Sequence, residues 1–215
     1  SAPGLVGGYM GVVPDEWRAA LGGPALTGQC CIPIITRSSQ GPAASVFDPD
    51  DVAADRPAPS TLLVGYPADH PLAPWSGTSP LYNGATVIGG LAFPAGSRSV
   101  LFFGRHGDTF CYGTGDECGD PAESDKGNHA WPYRHQVWAY DAGDLAAVKA
   151  GRMAPWDVRP YATWTLPEMS DDGRASMRSA TYDPATHRVY LTTVYGDAPR
   201  VHVYQVRTAL GAPAS

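Results

Sequence analysis

Histidine, carboxylate and aromatic side chains are concentrated in the segment between residues 106 and 135. His106, Asp108 and His129 lie within it, and Asp69 and His70 lie in a loop upstream. Histidine and carboxylate ligands together can hold a divalent cation and lower the pKa of its bound water to about 7, which makes a nucleophile for an ester or phosphoester. We therefore predict a Zn or Ca site. Its ligands are Asp69, His70, His106 and His129.

The sequence also supplies other groups that ester hydrolysis needs. A His–Asp pair can act as a general base even without a metal. Arg105 and Arg37 can donate hydrogen bonds to a developing oxyanion. The predicted activity is hydrolysis of a small-molecule substrate, namely an activated ester, lactone or phosphotriester. Its catalytic residues are His106, Asp108, His129, Arg105 and Arg37.

Other interpretations of these residues stay open. None of them has a diagnostic ligand spacing such as HExxH, and a segment of this kind can be polar because it is exposed. The two arginines can equally tie neighbouring strands together through carboxylates or carbonyls. The aromatic residues indicate a second candidate function, a non-catalytic binding or scaffold module that recognises a saccharide or peptide. Its binding platform consists of Trp75, Tyr82, Trp131 and Tyr133.

The four cysteines lead to a prediction about the cellular compartment. A disulfide between Cys111 and Cys118 would close a polar loop and, on the chain-entropy account, stabilise it by about 2 to 3 kcal/mol. Such bridges persist in oxidising compartments, so the parent protein is predicted to be periplasmic or secreted. Three states stay open for the adjacent Cys30 and Cys31: a strained vicinal disulfide, a metal site or two buried thiols.

Composition argues against several other functions. The formal net charge is -6 and the sequence has no basic run, so nucleic acid is not expected as a partner. No apolar stretch approaches the roughly 20 residues that cross a bilayer. The N-terminal residues SAPGLVGG lack the charged and apolar regions of a signal peptide, so none is predicted in this chain. The sequence also has no GxSxG nucleophile elbow.

The elements that must position these residues follow a repeated pattern. Three stretches, which begin near Leu5, Val87 and Met177, each contain a short strand with small residues, an apolar second strand and an aromatic-rich third strand. A fourth strand follows in the first two stretches. The predicted second strands are IPIITRSSQG, SVLFFGRHGD and RVYLTTVYGD. Helices are predicted in PDEWRAAL and AGDLAAVKAG.

This periodicity is typical of a β-propeller, and we predict an all-β fold with one partial propeller domain over residues 1–215. The blades span about residues 4–67, 86–166 and 176–207, and the third lacks its outer strand. Propellers close with about four to eight blades, so three blades would leave apolar faces in water. Either the chain is the C-terminal portion of a longer propeller or several copies assemble. Two copies would give about six blades and three about nine, so a homodimer is favoured over a trimer.

Two stretches carry a family resemblance, QVWAYDAGDLAAVKAGRMAPWDVRPYATW and SATYDPATHRVYLTTVYGD. They resemble the last blades of bacterial extracytoplasmic β-propeller proteins. The resemblance covers most of the chain and implies a fold, further blades upstream in intact relatives and an extracytoplasmic location, but no catalytic residues. By architecture the chain is also similar to six-bladed metal-dependent lactonases and phosphotriesterases, although a fold does not determine a function.

Overall fold

The computed structural model of the protein describes residues 5–31, 39–108, 130–169, 176–194 and 198–207. Besides short 3-10 turns, these residues form eleven β-strands and two α-helices, and the strands make three antiparallel sheets. The prediction of an all-β fold is confirmed for this part of the chain. No helix among the described residues is long and apolar enough to cross a membrane.

The strands of each sheet are hydrogen-bonded in the order in which they occur in the chain. Sheet 1 consists of β1 (Tyr9–Val12), β2 (Ala25–Gly28), β3 (Ala44–Phe47) and β4 (Ser60–Val64). Sheet 2 consists of β5 (Val87–Ala92), β6 (Ser99–Gly107), β7 (Tyr133–Asp141) and β8 (Ala162–Thr165). Sheet 3 consists of β9 (Ser176–Asp183), β10 (Arg188–Val194) and β11 (Arg200–Gln205).

The predicted second strand of sheet 1 is wrong. The sequence favours IPIITRSSQG for this strand, whereas the structure has β2 at Ala25–Gly28, and residues 32–38 lie outside the described residues. β2 has only four residues and one large apolar side chain, so its hydrophobic pattern is weaker than that of the later run. Its position depends on pairing, because Leu26 lies opposite Gly11 of β1 and Val46 of β3.

Both predicted helices are present, and each connects two strands. α1 (Asp15–Leu21) joins β1 to β2, and α2 (Ala142–Lys149) joins β7 to β8. Pro14 precedes α1, and Gly22 ends it with a φ of 85°, a left-handed conformation that costs glycine little. The carboxylate of Asp141 caps α2 by accepting a hydrogen bond of 2.7 Å from a backbone N–H of the first turn.

Sheet 2 is buried on both faces. In β6, Val100 and Phe102 pack in the core between sheets 1 and 2. The intervening residues Leu101 and Phe103 pack in the core between sheets 2 and 3. A strand with two buried faces needs apolar residues at consecutive positions, which explains the run VLFF in this strand. In sheet 3, whose strands bury one face against sheet 2, buried and more exposed residues alternate along β10.

The first strands of the three sheets, β1, β5 and β9, contact one another. The backbone of Gly89 in β5 lies so close to the backbone of Met177 in β9 that no side chain would fit between them. Gly90 also lies close to Ala180, so a Cβ there would be 2.5 Å from the Ala180 backbone nitrogen. Glycine permits this approach because it has no Cβ. The three sheets therefore pack face to face, with their first strands gathered along one edge.

The adjacent cysteines lie where sheets 1 and 2 meet. Cys30 and Cys31 are bonded to each other, and both are buried. Cys30 also forms isolated backbone bridges with Ser39 and with Ile88 of β5. Of the three states considered for this pair, the structure has the vicinal disulfide. The predicted bridge between Cys111 and Cys118 lies outside the described residues and stays a prediction.

Candidate functional site

His106 lies near the end of β6, under the connection from β4 to β5. Its side chain is buried, with only 4% of the residue exposed. Its Nδ1 lies 2.9 Å from the hydroxyl of Thr86, and it is also hydrogen-bonded to the backbone of Ser79. Burial lowers the pKa of His106 to about 4 and outweighs the opposing effect of Asp108. His106 is therefore neutral at pH 7, and its hydrogen bonds hold the connection against sheet 2.

Side chains of β7 hold the same connection. Trp138 and Gln136 each donate a side-chain N–H, at 2.8 Å, to the carbonyl oxygens of Leu81 and Pro80 respectively. Both hydrogen bonds are partly buried, and a carbonyl that is shielded from water needs such a partner. The polar groups at this end of sheet 2 therefore position a long connection that makes little regular structure of its own.

The lowered pKa of His106 predicts that the stability of the protein depends on pH. The unfolded chain binds a proton at this residue near its ordinary pKa of 6.5, whereas the folded chain binds one only near pH 4. Stability is therefore lost as the pH falls through this window, because protons bind preferentially to the unfolded state. We expect this residue alone to lower the free energy of unfolding by about 3 kcal/mol between pH 7 and pH 4.

His106→Gln is the matched variant, because glutamine keeps hydrogen-bonding groups and does not titrate. Urea unfolding of both proteins across the window between pH 7 and pH 4 measures the difference in pH dependence. Other groups titrate in both proteins, and their contributions cancel in this comparison. If the two proteins lose stability in parallel, His106 does not have the lowered pKa.

Two other predicted catalytic residues lie beside His106 and contact β7. Asp108 forms an ion pair with Arg134. The guanidinium of Arg105 lies 3.9 Å from the ring centroid of Tyr133, in a cation–π contact. The structure thus brings Arg105, His106 and Asp108 together at one end of sheet 2. The predicted residues His129 and Arg37 lie outside the described residues, so the hydrolase hypothesis stays a prediction.

The other predicted metal ligands lie in the connection from β4 to β5. Nε2 of His70 lies 3.7 Å from the carboxylate of Asp69, and the imidazole stacks on the ring of Trp156 with 4.8 Å between centroids. Within the part of the chain that the structure describes, no three histidine, cysteine or acidic side chains form a group that could hold a metal. Because His129 is not in that part, the Zn or Ca site stays a prediction.

The four residues of the predicted aromatic platform differ in exposure. Tyr82 is fully buried and Tyr133 nearly so, whereas Trp75 and Trp131 are half-buried. Trp75 packs edge-on against Tyr82, with 6.4 Å between ring centroids. A saccharide stacks on exposed ring faces, so the two tryptophans are the members of this set that keep surface for such contact. Binding of a saccharide or peptide at this platform stays a prediction.

A groove of about 900 Å³ lies at the other end of sheet 2 and extends to sheets 1 and 3. Apolar residues of all three sheets and of their connections line it. They include Met10, Val12, Phe47, Val52, Leu91, Phe93, Ala180 and Pro184. Met10 is 60% exposed and Val12 is 68% exposed. Adjacent exposed apolar residues on a regular sheet are typical of interaction sites.

Part of the groove belongs to a face of sheet 1 that no other described sheet covers. Val12, Ala25 and Phe47 are successive cross-strand partners in β1, β2 and β3, so their side chains lie on the same face. Met10 shares this face, and the alternate residue Tyr9 points into the core between sheets 1 and 2. Thr27 and Ser45 also lie on this face but are buried. We call its remaining residues Met10, Val12, Ala25 and Phe47, of which Met10 and Val12 are exposed, the open face of sheet 1.

Sheet 3 has a corresponding face. Val201 lies opposite Thr192, and Val203 lies opposite Tyr190, so these four side chains share the face that points away from sheet 2. Leu191 points the other way, into the core with sheet 2. Val201 is 62% exposed and Val203 is 52% exposed. We call Tyr190, Thr192, Val201 and Val203 the open face of sheet 3.

The two terminal sheets differ in formal charge. Among the described residues of sheet 1 and its connections, 5–31 and 39–67, six carboxylates accompany two arginines. Among those of sheet 3, 176–194 and 198–207, four arginines accompany one carboxylate. The two open faces therefore belong to parts of the molecule with opposite charge, which favours contact between them over contact of either with itself.

In the part of the chain that the structure describes, the fold and these surfaces define an all-β protein whose antiparallel sheets pack face to face and leave two apolar faces uncovered by a further sheet. In comparisons with known proteins, no protein-family model matches the chain, and no curated protein matches it. The sequence predicts that three blades leave apolar faces in water, but its patterns did not identify the residues of either open face, because an apolar strand residue has the same pattern whether its face is buried or exposed. The alternating valines of RVHVYQ are the one signal that a partly exposed strand lies there.

Proposed function

We propose that the three sheets are consecutive blades of a β-propeller and that the protein is a non-catalytic interaction module. The module binds a basic, apolar β-surface of a protein partner on the open face of sheet 1. The observation that carries this proposal is the exposure of Met10 and Val12 on a sheet whose connections are rich in carboxylates.

Two features support the propeller arrangement. The first strands of propeller blades line a central channel, and here residues of β1, β5 and β9 line one groove. In addition, each sheet is an antiparallel meander that packs its face against the next sheet in the chain. Both features are those of consecutive blades around part of a ring.

Charge next to the open face of sheet 1 supports a basic partner. Asp15 and Glu16 lie at the groove, and Asp50 and Asp51 are exposed in the turn that follows β3. Arg18 neutralises part of this charge through an ion pair of 2.9 Å with Asp15. The excess of carboxylates attracts arginine or lysine side chains, and the apolar centre supplies the area that is buried on binding.

The state of His106 supports a role without catalysis. A general base is most effective when its pKa lies near the working pH. Burial lowers the pKa of His106 to about 4, and the imidazole is hydrogen-bonded to Thr86 and to the backbone of Ser79. With these contacts, His106 holds the connection from β4 to β5 against sheet 2.

Binding of a basic β-hairpin tests this function. The probe is a labelled synthetic hairpin of alternating valine and arginine, titrated by fluorescence anisotropy into the Val203→Glu protein, in which the other open face is altered so that copies of the chain do not compete. Because the open face of sheet 1 is unchanged in this protein, we expect saturable binding. The further substitution Val12→Lys should weaken binding at least tenfold, by repelling the arginines and removing apolar contact.

The matched control is Ser76→Lys in the same background, since Ser76 is exposed in the connection at the other end of sheet 2. This variant should bind the hairpin as its parent does. A second hairpin of alternating valine and glutamate should not bind. Equal affinity of the proteins with and without Val12→Lys, or equal affinity for the two hairpins, would overturn the proposed function.

A further inference from the structure

Resting on the proposed function, we infer that the partner of the open face of sheet 1 is a second copy of this chain. The open face of sheet 3 in one copy packs on the open face of sheet 1 in the other, and the reciprocal contact closes a ring. Sheet 3 has the chemistry expected of the partner. Its exposed Val201 and Val203 supply apolar area, and arginines outnumber carboxylates around them.

Arg188 is placed to meet carboxylates of the second copy. Along β10 it occupies the same alternate positions as Tyr190 and Thr192, so it lies on the open face of sheet 3, where it is exposed. The facing sheet of the second copy carries Asp50 and Asp51 beside its open face. Opposite charges at the rim of an apolar contact favour this pairing of faces, whereas two sheet 1 faces or two sheet 3 faces would bring like charges together.

Packing within the chain shows that such a contact fits the fold. Sheet 2 already packs one face on sheet 1 and the other on sheet 3. A contact between sheet 3 and the next copy's sheet 1 continues the same face-to-face stacking. The contact is heterologous, so it must either close or propagate into a chain of copies. Two copies contribute six sheets, which lies within the range of about four to eight blades in closed propellers.

The groove lies beside the central channel of such a ring. In a closed ring the first strands β1, β5 and β9 of each copy line half of the central channel, and the groove becomes one side of it. Met10 and Val12, which are exposed in the isolated chain, are then covered by sheet 3 of the second copy.

Mass in solution, measured by light scattering after size exclusion, tests the inference. We expect the unmodified protein and the Ser76→Lys control to have the mass of two chains. Val12→Lys and Val203→Glu should each reduce the mass to one chain, because each alters one side of both contacts. Met10→Lys alters the same face as Val12→Lys and should have the same effect. Circular dichroism and the thermal midpoint verify that each variant is folded.

Mixing the two variants tests the head-to-tail contact directly. An equimolar mixture of Val12→Lys and Val203→Glu should regain the mass of two chains. One contact in the mixed dimer joins two unmodified faces, and the other places the new lysine opposite the new glutamate. A mixture that stays at the mass of one chain overturns the head-to-tail contact. Variants that keep the mass of two chains overturn the assigned faces, and a mass that grows with concentration overturns the closed ring.

Hairpin binding separates this inference from the function on which it rests. If the unmodified protein has the mass of one chain and the basic hairpin binds to the open face of sheet 1, the second copy is overturned and the interaction module stands. If the protein has the mass of one chain and the hairpin does not bind, both are overturned.

Discussion

The Gly89→Ala protein is expected to unfold with a free energy about 3 kcal/mol lower than that of the unmodified protein, at the upper end of the cost of overpacking. A Cβ at this position would lie well inside van der Waals contact with the carbonyl oxygen of Met177. The obstructing atoms belong to the backbone of β9, which is paired along its length with β10 and cannot move aside by a change of rotamer. The melting temperature should fall by about 10 °C.

Gly65→Ala is the matched control for this substitution. The nearest atom to a Cβ at position 65 is in the side chain of Leu62, at 3.1 Å, and that side chain can rotate. We expect a change below about 1 kcal/mol, because alanine also reduces the entropy of the unfolded chain. Urea unfolding followed by circular dichroism compares the two proteins. A loss in Gly89→Ala no greater than that in Gly65→Ala would mean that β5 and β9 do not approach at this point.

Trp138→Ala is expected to lower the free energy of unfolding by about 4 kcal/mol. Trp138 is fully buried in the core between sheets 1 and 2, where its ring lies edge-on to that of His106 at 6.3 Å between centroids. Its indole N–H donates to the carbonyl oxygen of Leu81 at 2.8 Å. The substitution therefore leaves a cavity and also a partly buried carbonyl without its donor, and both effects destabilise the fold.

Two further variants separate these effects. Trp138→Phe keeps an apolar ring and removes the donor, so it should cost about 1 to 3 kcal/mol. Trp164→Ala is the same substitution at a tryptophan of the adjacent strand β8 that is 43% exposed, and it should cost about 1 kcal/mol because little buried volume is lost. Chemical unfolding of all four proteins checks the order. Equal losses in Trp138→Ala and Trp164→Ala would contradict the burial of Trp138.

Local sequence was sufficient to predict most of the strands and both helices. The run VLFF has the apolar density of a strand with two buried faces, and Pro14 marks the start of α1. The second strand of sheet 1 could not be predicted in this way, because ALTG has few apolar residues and its position depends on pairing with β1 and β3.

The candidate sites were predictable only in part. Arg105, His106 and Asp108 are close in sequence, so their proximity follows from the chain itself. The hydrogen-bond partners of His106 are Thr86 and the backbone of Ser79, which lie about 20 or more residues before it in the chain. With these contacts, the residue that the sequence predicts as a catalytic base is instead a buried anchor for the connection. No local pattern indicates that conversion, since burial is a property of the assembled sheets.

The sequence by itself determined that this chain forms short antiparallel strands in a repeated order, because the alternation of apolar residues, turns and glycines restricts each segment to a strand, turn or helix. Tertiary structure alone decided which apolar residues are covered. Val137 in sheet 2 and Val201 in sheet 3 are the same residue type in similar strands, yet the first is fully buried and the second is 62% exposed. The physical reason is that burial depends on what packs against a face, and sheet 2 has a neighbour on both sides, whereas one face of sheet 3 is left open among the described residues.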